Sequence, residues 1–282
     1  MVRKYFLLFF HLTSASQDDR WFCPLGHSKT HSLNYYGFPR MHRLPIFEYC
    51  LFPEYCIFLQ RKNENNATGK RLSTIIKGMK NIFKDFFSQC ARPEGFLGRC
   101  MLRFMNFGHA PLTNWGLDLV VFRNGMTMLD IGCGGGATLK RLLKRSPDGK
   151  AYGIDISVES VTKAEKVNKR HLGSQVFVEQ GSADSLPWEK QKFDVVTAVE
   201  TVYFWPNLPK CFQEVKRVLK PGGQFAIMLE VIEGDSVWTN VVDGMTVYPP
   251  EQLKGMLEQA GFSDVEIFRK KPSYATIKGI LK

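Results

Sequence analysis

Met128-Leu-Asp-Ile-Gly-Cys-Gly-Gly-Gly-Ala137 is the stretch of the 282-residue sequence on which the reading of the fold turns. A short apolar run, Thr127–Ile131, enters it as a strand, and Ala137–Arg145 leaves it with leucines at helical spacing before Pro147. Between the two, Gly132, Gly134 and Gly136 let the chain turn tightly and bring a ligand against bare backbone. The helix that follows aims its first N–H groups at the same place. Nineteen residues after Gly136, closing a second apolar run over Ala151–Ile154, stands Asp155, placed to accept both hydroxyls of a ribose. These features together describe a nucleoside ligand at the carboxyl edge of a parallel sheet.

Outward from this core the same alternation continues. Ser157 caps a helix running to about His171, with Glu159 in its first turn. Strands follow at Gln175–Glu179 and Asp194–Val199, then a helix, Pro209–Leu219, stopped by Lys220-Pro-Gly-Gly223, and a strand, Gln224–Leu229. A helix over Pro250–Ala260 and two strands, Val265–Phe268 and Tyr274–Ile280, complete the chain. The pattern predicts an α/β fold, a doubly wound and mostly parallel seven-stranded sheet of Rossmann-like type. Because no helix separates the last two strands, one edge strand should be antiparallel. Upstream, Met79–Gln89 carries Ile82, Phe83, Phe86 and Phe87 at helical spacing, and Phe96–Val121 is amphipathic with breaks at Gly108 and Pro111. Residues 79–120 are therefore expected to form an N-terminal helical cap on a domain spanning 121–282.

The first 78 residues have a different texture. They hold 14 of the 36 aromatic residues and four of the six histidines, yet no period of 3.6 or 2.0 survives for more than a turn. They carry 11 Lys/Arg against 5 Asp/Glu, whereas the remainder carries 27 against 22. More than half of the net charge of +11 thus sits in the first quarter, and the mildly basic body gives no reason to expect a nucleic-acid partner. A crude signal peptide (Val2–Ser16) and a metal site (Cys23, His27, His31, Cys50 and Cys56) both fit poorly. The favoured reading is a poorly ordered or over-extended segment. No run approaches 18 apolar residues, and the seven cysteines form no C-x-x-C pair, which points to a reducing, cytoplasmic setting with neither membrane span nor metal.

Gly132-Cys-Gly-Gly-Gly-Ala137 also satisfies the G-x-G-x-x-A pattern of NAD enzymes, so an NAD(P)-dependent oxidoreductase stands as an alternative, as does a nucleoside-binding module without turnover. Asp130, just before the turn, tilts the choice. A carboxylate there is unwelcome beside a pyrophosphate but useful toward an ammonium group, and S-adenosylmethionine offers an α-ammonium and a sulfonium and no phosphate. The polar exit of the third strand, Glu179–Trp188, suits an adenine edge.

At this point the chain resembles a known family. Leu129-Asp-Ile-Gly-Cys-Gly-Gly-Gly136, Gly153-Ile-Asp-Ile-Ser157, Gly181-Ser-Ala-Asp-Ser-Leu-Pro187, Phe193-Asp-Val-Val-Thr-Ala-Val199 and Glu214-Val-Lys-Arg-Val-Leu-Lys-Pro-Gly-Gly223 look like consecutive motifs of class I S-adenosylmethionine-dependent methyltransferases, of the type 11 domain group. Gly98–His109 and Leu112–Gly116 are similar to the cap of a bacterial subgroup. The resemblance implies Asp130, Gly132, Gly134 and Gly136 around the methionyl part of the cofactor, Asp155 at the ribose and Ile156 on the adenine. Where the family often has an acid touching the adenine amino group, this chain has Ser182, with Ala183 next; Glu200 is counted with the cofactor site. After the fourth strand many relatives have a histidine pair, and here stands Tyr203-Phe204-Trp205.

Methyl transfer from a sulfonium is an in-line displacement, so holding the partners in line and excluding water matter more than a catalytic dyad. His109 and Tyr203 are the candidate bases. Met105, Trp115 and Trp205 are expected to line an acceptor pocket covered by the cap, with Met101 and Phe107 nearby, for a small or medium organic acceptor.

Overall fold

A computed structural model describes residues 89–231, 242, 244–270 and 273–282, all within one compact unit spanning 81–282. The expected helix over Met79–Gln89 falls almost wholly outside the described residues, as does everything expected of residues 1–78. In chain order the elements are α1 (Gly95–Gly108), α2 (Ala110–Leu117), β1 (Thr127–Ile131), α3 (Ala137–Arg145), β2 (Lys150–Asp155), α4 (Val158–Asn168) and β3 (Val176–Gln180). Then come β4 (Phe193–Val199), a 3-10 turn (Val202–Phe204), α5 (Leu208–Val218), β5 (Leu219–Glu230), α6 (Pro250–Gln259), β6 (Phe262–Lys270) and β7 (Tyr274–Leu281).

The seven strands form one sheet in the order β3-β2-β1-β4-β5-β7-β6. β1 pairs in parallel with β2 on one side and β4 on the other, so the chain reverses its direction of winding across the sheet at β1. That reversal leaves a crevice at the carboxyl ends of β1 and β4. The edge pairing is antiparallel, with a refinement: β7 is the strand that runs against the others, and it lies one place in, between β5 and the edge strand β6. Only residues 271–273 join β6 to β7, too few for a parallel crossover. Burial explains which of the two takes the edge. β7 is buried or nearly so along its whole length, whereas β6 exposes Asp264, Glu266 and its last residues, Arg269 and Lys270.

Alternation along the strands builds two cores, one on each face. Leu129, Ile131, Val196, Ala198, Phe225, Ile227 and Leu229 meet α5 and α6, while Met128, Val195, Ala226 and Met228 meet α2 and α3. On α3, Leu139, Leu142 and Leu143 supply the stripe. Strand β5 begins earlier than the sequence suggests. Its pairing with β4 slips between Leu219 and Gln224, where Pro221 has no N–H to give and Gly222 takes φ +77°. Phe225, fully buried, lies with its ring centroid 5.9 Å from Phe212, 5.8 Å from Phe262 and 6.3 Å from Trp205. Phe225→Ala is expected to lower the unfolding free energy by about 3–5 kcal/mol, read from urea denaturation followed by circular dichroism; a loss under about 1 kcal/mol would show that this cluster does not anchor the sheet.

Candidate functional site

The turn after β1 is folded by three glycines in the left-handed region, with φ of +74° at Gly132, +50° at Gly134 and +73° at Gly136. Gly132 and Cys133 both donate to the carbonyl of Ile154, at 2.8 and 3.0 Å, which pins the turn to the end of β2. A Cβ on Gly132 would lie 2.0 Å from Thr201 Oγ1, and one on Gly136 2.7 Å from Cα of Ala164. Next to Gly134 there is open space, its nearest neighbour being Leu102 Cδ2 at 3.9 Å.

Asp155 closes β2 with both carboxylate oxygens engaged. Oδ2 accepts from Gly134 N–H and Oδ1 from Ser157 N–H, each at 2.9 Å. Burial pushes its carboxyl upward, against the pull of those two N–H donors. Ser157 caps α4 as expected, its Oγ accepting from Ser160 N–H, and the same hydroxyl donates to the carbonyl of Pro93 at 2.6 Å. On the other flank Asn106 of α1 donates to the carbonyl of Gly135 at 3.1 Å. The segment before α1 and α1 itself are thereby fastened to the turn.

A cleft opens over this edge. It is lined by Gly132, Gly134, Asp155, Ile156, Ser182 and Ala183 on the β1–β3 side, and by Glu200, Thr201, Phe204, Trp205 and Met105 on the other. Ile156 is 48% exposed there. Ser182 Oγ donates to Asp184 Oδ1 at 2.6 Å, and Asp184 in turn pairs with Lys210 at 3.2 Å, which holds the Asp184 carboxyl below its ordinary range, the Ser182 bond first. Trp205 serves both cleft and core: its ring stacks on Phe225 and its Nε1 donates to Thr201 Oγ1 at 3.3 Å.

Several expected site residues lie elsewhere. Asp130, only 1% exposed, sits beneath the turn, its Oδ1 accepting from Thr197 at 2.6 Å. Burial pushes its carboxyl up to about 7, opposed by hydrogen bonds from Thr197 and Thr138. Gly136 shapes the turn without lining the cleft. His109 joins α1 to α2 outside the lining, and burial, with Arg141 nearby, lowers its imidazole to about 4, far below what a base at neutral pH needs. Tyr203 is 3% exposed and donates to the carbonyl of Glu230 at 3.2 Å. Burial and the Glu200 and Glu230 carboxylates drive its phenol well above the ordinary value, so it keeps its proton. Trp115 packs 6.3 Å from Tyr274 with Lys270 over its ring, away from the cleft.

Sequence reasoning missed Cys90, Pro93, Leu102 and Ser160 in the lining and Asn106 beside it. Asn106 left one signal, a polar side chain four residues after Leu102 on the buried side of a helix. Among the described residues no group of three or more His, Cys, Asp or Glu could hold a metal ion, and no helix is long and apolar enough to cross a membrane.

Comparison with known proteins adds to this geometry. A family profile described as a methyltransferase domain matches residues 122–266, just over half of the chain. The chain is 28% identical over 163 residues to the uncharacterized methyltransferase YdaC of Bacillus subtilis, covering 55% of this chain and 82% of that protein. It is 31% identical over 161 residues to the biotin biosynthesis bifunctional protein BioHC of Teredinibacter turnerae, covering 52% of this chain but 28% of that protein. With the arsenite methyltransferase of Halobacterium salinarum it shares 31% identity over 160 residues, 53% of this chain and 40% of that one. The chain thus spans well under two thirds of the length of most of these relatives. Among solved structures, a SAM-dependent methyltransferase from Aquifex aeolicus superposes with a TM-score of 0.54 at 25% identity, over 65% of this chain and 98% of that chain.

Two consequences can be measured on the protein alone. Gly134→Ala should cost about 1–2 kcal/mol of stability, the strain of a left-handed alanine with space around it, whereas Gly132→Ala should cost more because its methyl meets Thr201 as well; equal losses in urea unfolding would contradict this packing. Asp130→Asn should stabilise the protein relative to wild type at neutral and higher pH. The raised carboxyl stabilises the fold below about pH 4, the unfolded value, and that contribution is lost as pH rises through about 7. A stability difference that does not grow between those pH values would rule the mechanism out.

Proposed function

The chain belongs to the methyltransferase-domain family, and on that premise we propose that it moves a methyl group from S-adenosylmethionine to a small or medium organic acceptor held in the cleft. When bound, the cofactor supplies a methyl group on a positively charged sulfur, already activated for in-line displacement. The observation that carries the reading is the charge of the lining: among the described residues Asp155 and Glu200 are its charged members, and no Lys, Arg or His is found there. Such a wall suits a sulfonium and an ammonium. It leaves the diphosphate of NAD(P) without a counter-charge, which disfavours the oxidoreductase alternative.

This chain's residues divide the work. The bare backbone at Gly132 and Gly134 lets the methionyl part approach, and Asp155, whose oxygens each keep a lone pair beyond those given to Gly134 and Ser157, takes the ribose hydroxyls. Ile156 offers its exposed side chain to the adenine face. Ser182 gives its proton to Asp184, so its oxygen remains an acceptor, the complement of the adenine amino donor. A hydroxyl polarised by an acid two residues on thereby does the work of the acid the family often has there. Met105, Phe204 and Trp205 wall the acceptor side, and α1, through Leu102 and Met105, acts as the cover that excludes water.

Titrating the full chain with S-adenosylhomocysteine and, separately, with NADH tests the reading. Saturable binding of the first is expected, and saturable binding of NADH alone would overturn it. Asp155→Ala should weaken S-adenosylhomocysteine binding by about 1–3 kcal/mol and Ser182→Ala by about 0.5–1.5 kcal/mol, measured by calorimetry. Unchanged dissociation constants would discredit these assignments.

A further inference from the structure

On the cofactor reading Asp155, Ile156 and Ser182 would hold the adenosine and Gly132 and Gly134 the methionyl part, which leaves the side of the cleft beyond β4 for an acceptor. The first residue beyond β4 is Glu200, on the cleft wall. Its backbone is unusual: φ is +55°, a left-handed conformation that a glutamate rarely adopts. Two bonds to β5 hold it there. Glu200 N–H donates to the carbonyl of Met228 at 2.9 Å, and Glu200 Oε1 accepts from the N–H of Glu230. The side chain is therefore fixed at the acceptor end of the cleft, beside the Phe204 and Trp205 rings and Met105. The titratable groups around it are Glu230, whose Oε1 accepts from Ser273 at 2.8 Å, the Tyr203 phenol and the Cys90 thiol. Among the described residues none of them is a cation.

We propose that the acceptor is an amine, recognised as its ammonium by Glu200 against the Phe204–Trp205 wall, and that Glu200 takes the proton that must leave nitrogen before transfer. This rests on the methyltransferase reading above. An ammonium has no lone pair, so one N–H proton passes to the Glu200 carboxylate. The freed lone pair then forms the N–CH3 bond as the C–S bond breaks, its electron pair going to sulfur, which becomes a neutral thioether. The methylated nitrogen carries the positive charge, and Glu200 gives its proton to solvent as product leaves. Burial raises the Glu200 carboxyl to about 8 against the pull of the Glu230 N–H, which closes much of the gap to an alkylammonium at about 10 and makes the proton transfer far less uphill than to an ordinary carboxylate. An arriving ammonium favours the ionised form it needs. Alcohols require a stronger base, and carboxylate or phosphate acceptors would meet like charge. The aromatic rings add attraction for a cation and none for an anion.

The test uses the full chain saturated with S-adenosylhomocysteine and four probes of matched shape: benzylamine, benzyl alcohol, p-cresol and benzoate. Benzylamine is expected to bind about tenfold more tightly than the others, the worth of one charge-assisted hydrogen bond, as read by ligand-observed NMR titration. Glu200→Gln, which keeps the size and can still accept from Glu230 N–H, should erase that preference, and Glu200→Asp, which keeps the charge, should retain it. Any of the three other probes matching benzylamine overturns the proposal, and so does a preference that survives Glu200→Gln. A Glu200→Gln protein that loses S-adenosylhomocysteine places Glu200 on the donor and overturns it as well. Failure of the wild-type chain to bind S-adenosylhomocysteine at all would instead remove the methyltransferase reading on which the proposal rests.

Discussion

One carboxylate organises the site. Asp155 stands at the end of β2 and receives an N–H from the glycine turn after β1 and another from the first residue of the cap of α4. Backbone donors at a turn and at a helix start have no partners of their own, and a buried acid supplies them at two places simultaneously. The next link is Ser157, which caps α4 and passes its own proton to Pro93, ahead of α1. Asn106 closes the loop from the far end of α1 onto Gly135. The glycine turn, Asp155 and α1 thus form a single hydrogen-bonded circuit in which each member orients the next.

Much of this was legible from local sequence because the determinants are local. Thr127–Ile131 and Ala137–Arg145 have the bounds expected, since an apolar strand ends at a glycine turn and a leucine-striped helix begins at its exit. Ser157 as a cap follows from the same kind of local rule. What could not be read depends on partners distant in sequence. The place of β7 inside β6 is decided by which strand buries more of itself against β5, and the early start of β5 by a slip in its pairing with β4.

Side-chain direction was the other hidden variable. Tyr203 was expected as a base and Trp205 in the acceptor lining, and the 3-10 turn over Val202–Phe204 sorts the Tyr203-Phe204-Trp205 run. Phe204 and Trp205 reach the cleft, while Tyr203 turns into the protein toward Glu230. A single turn of tight helix rotates successive side chains by about a third of a circle, so three adjacent aromatics cannot share a wall. His109 shows the same limit. Its position in sequence suggested a base, but the bend between α1 and α2 carries it outside the lining. Glu200 drew less notice than either, although its strained backbone marks it as a residue whose direction is held by its surroundings.

Gly116 bears on how the cleft is reached. A Cβ there would lie 2.6 Å from Met228 Sδ and 3.0 Å from Thr276 Oγ1, so the backbone of α2 rests directly on the Met228 and Thr276 side chains of β5 and β7. Helix and sheet are in effect welded there, so α2 is a fixed footing on which α1, the helix that brings Leu102 and Met105 to the cleft, comes to its end.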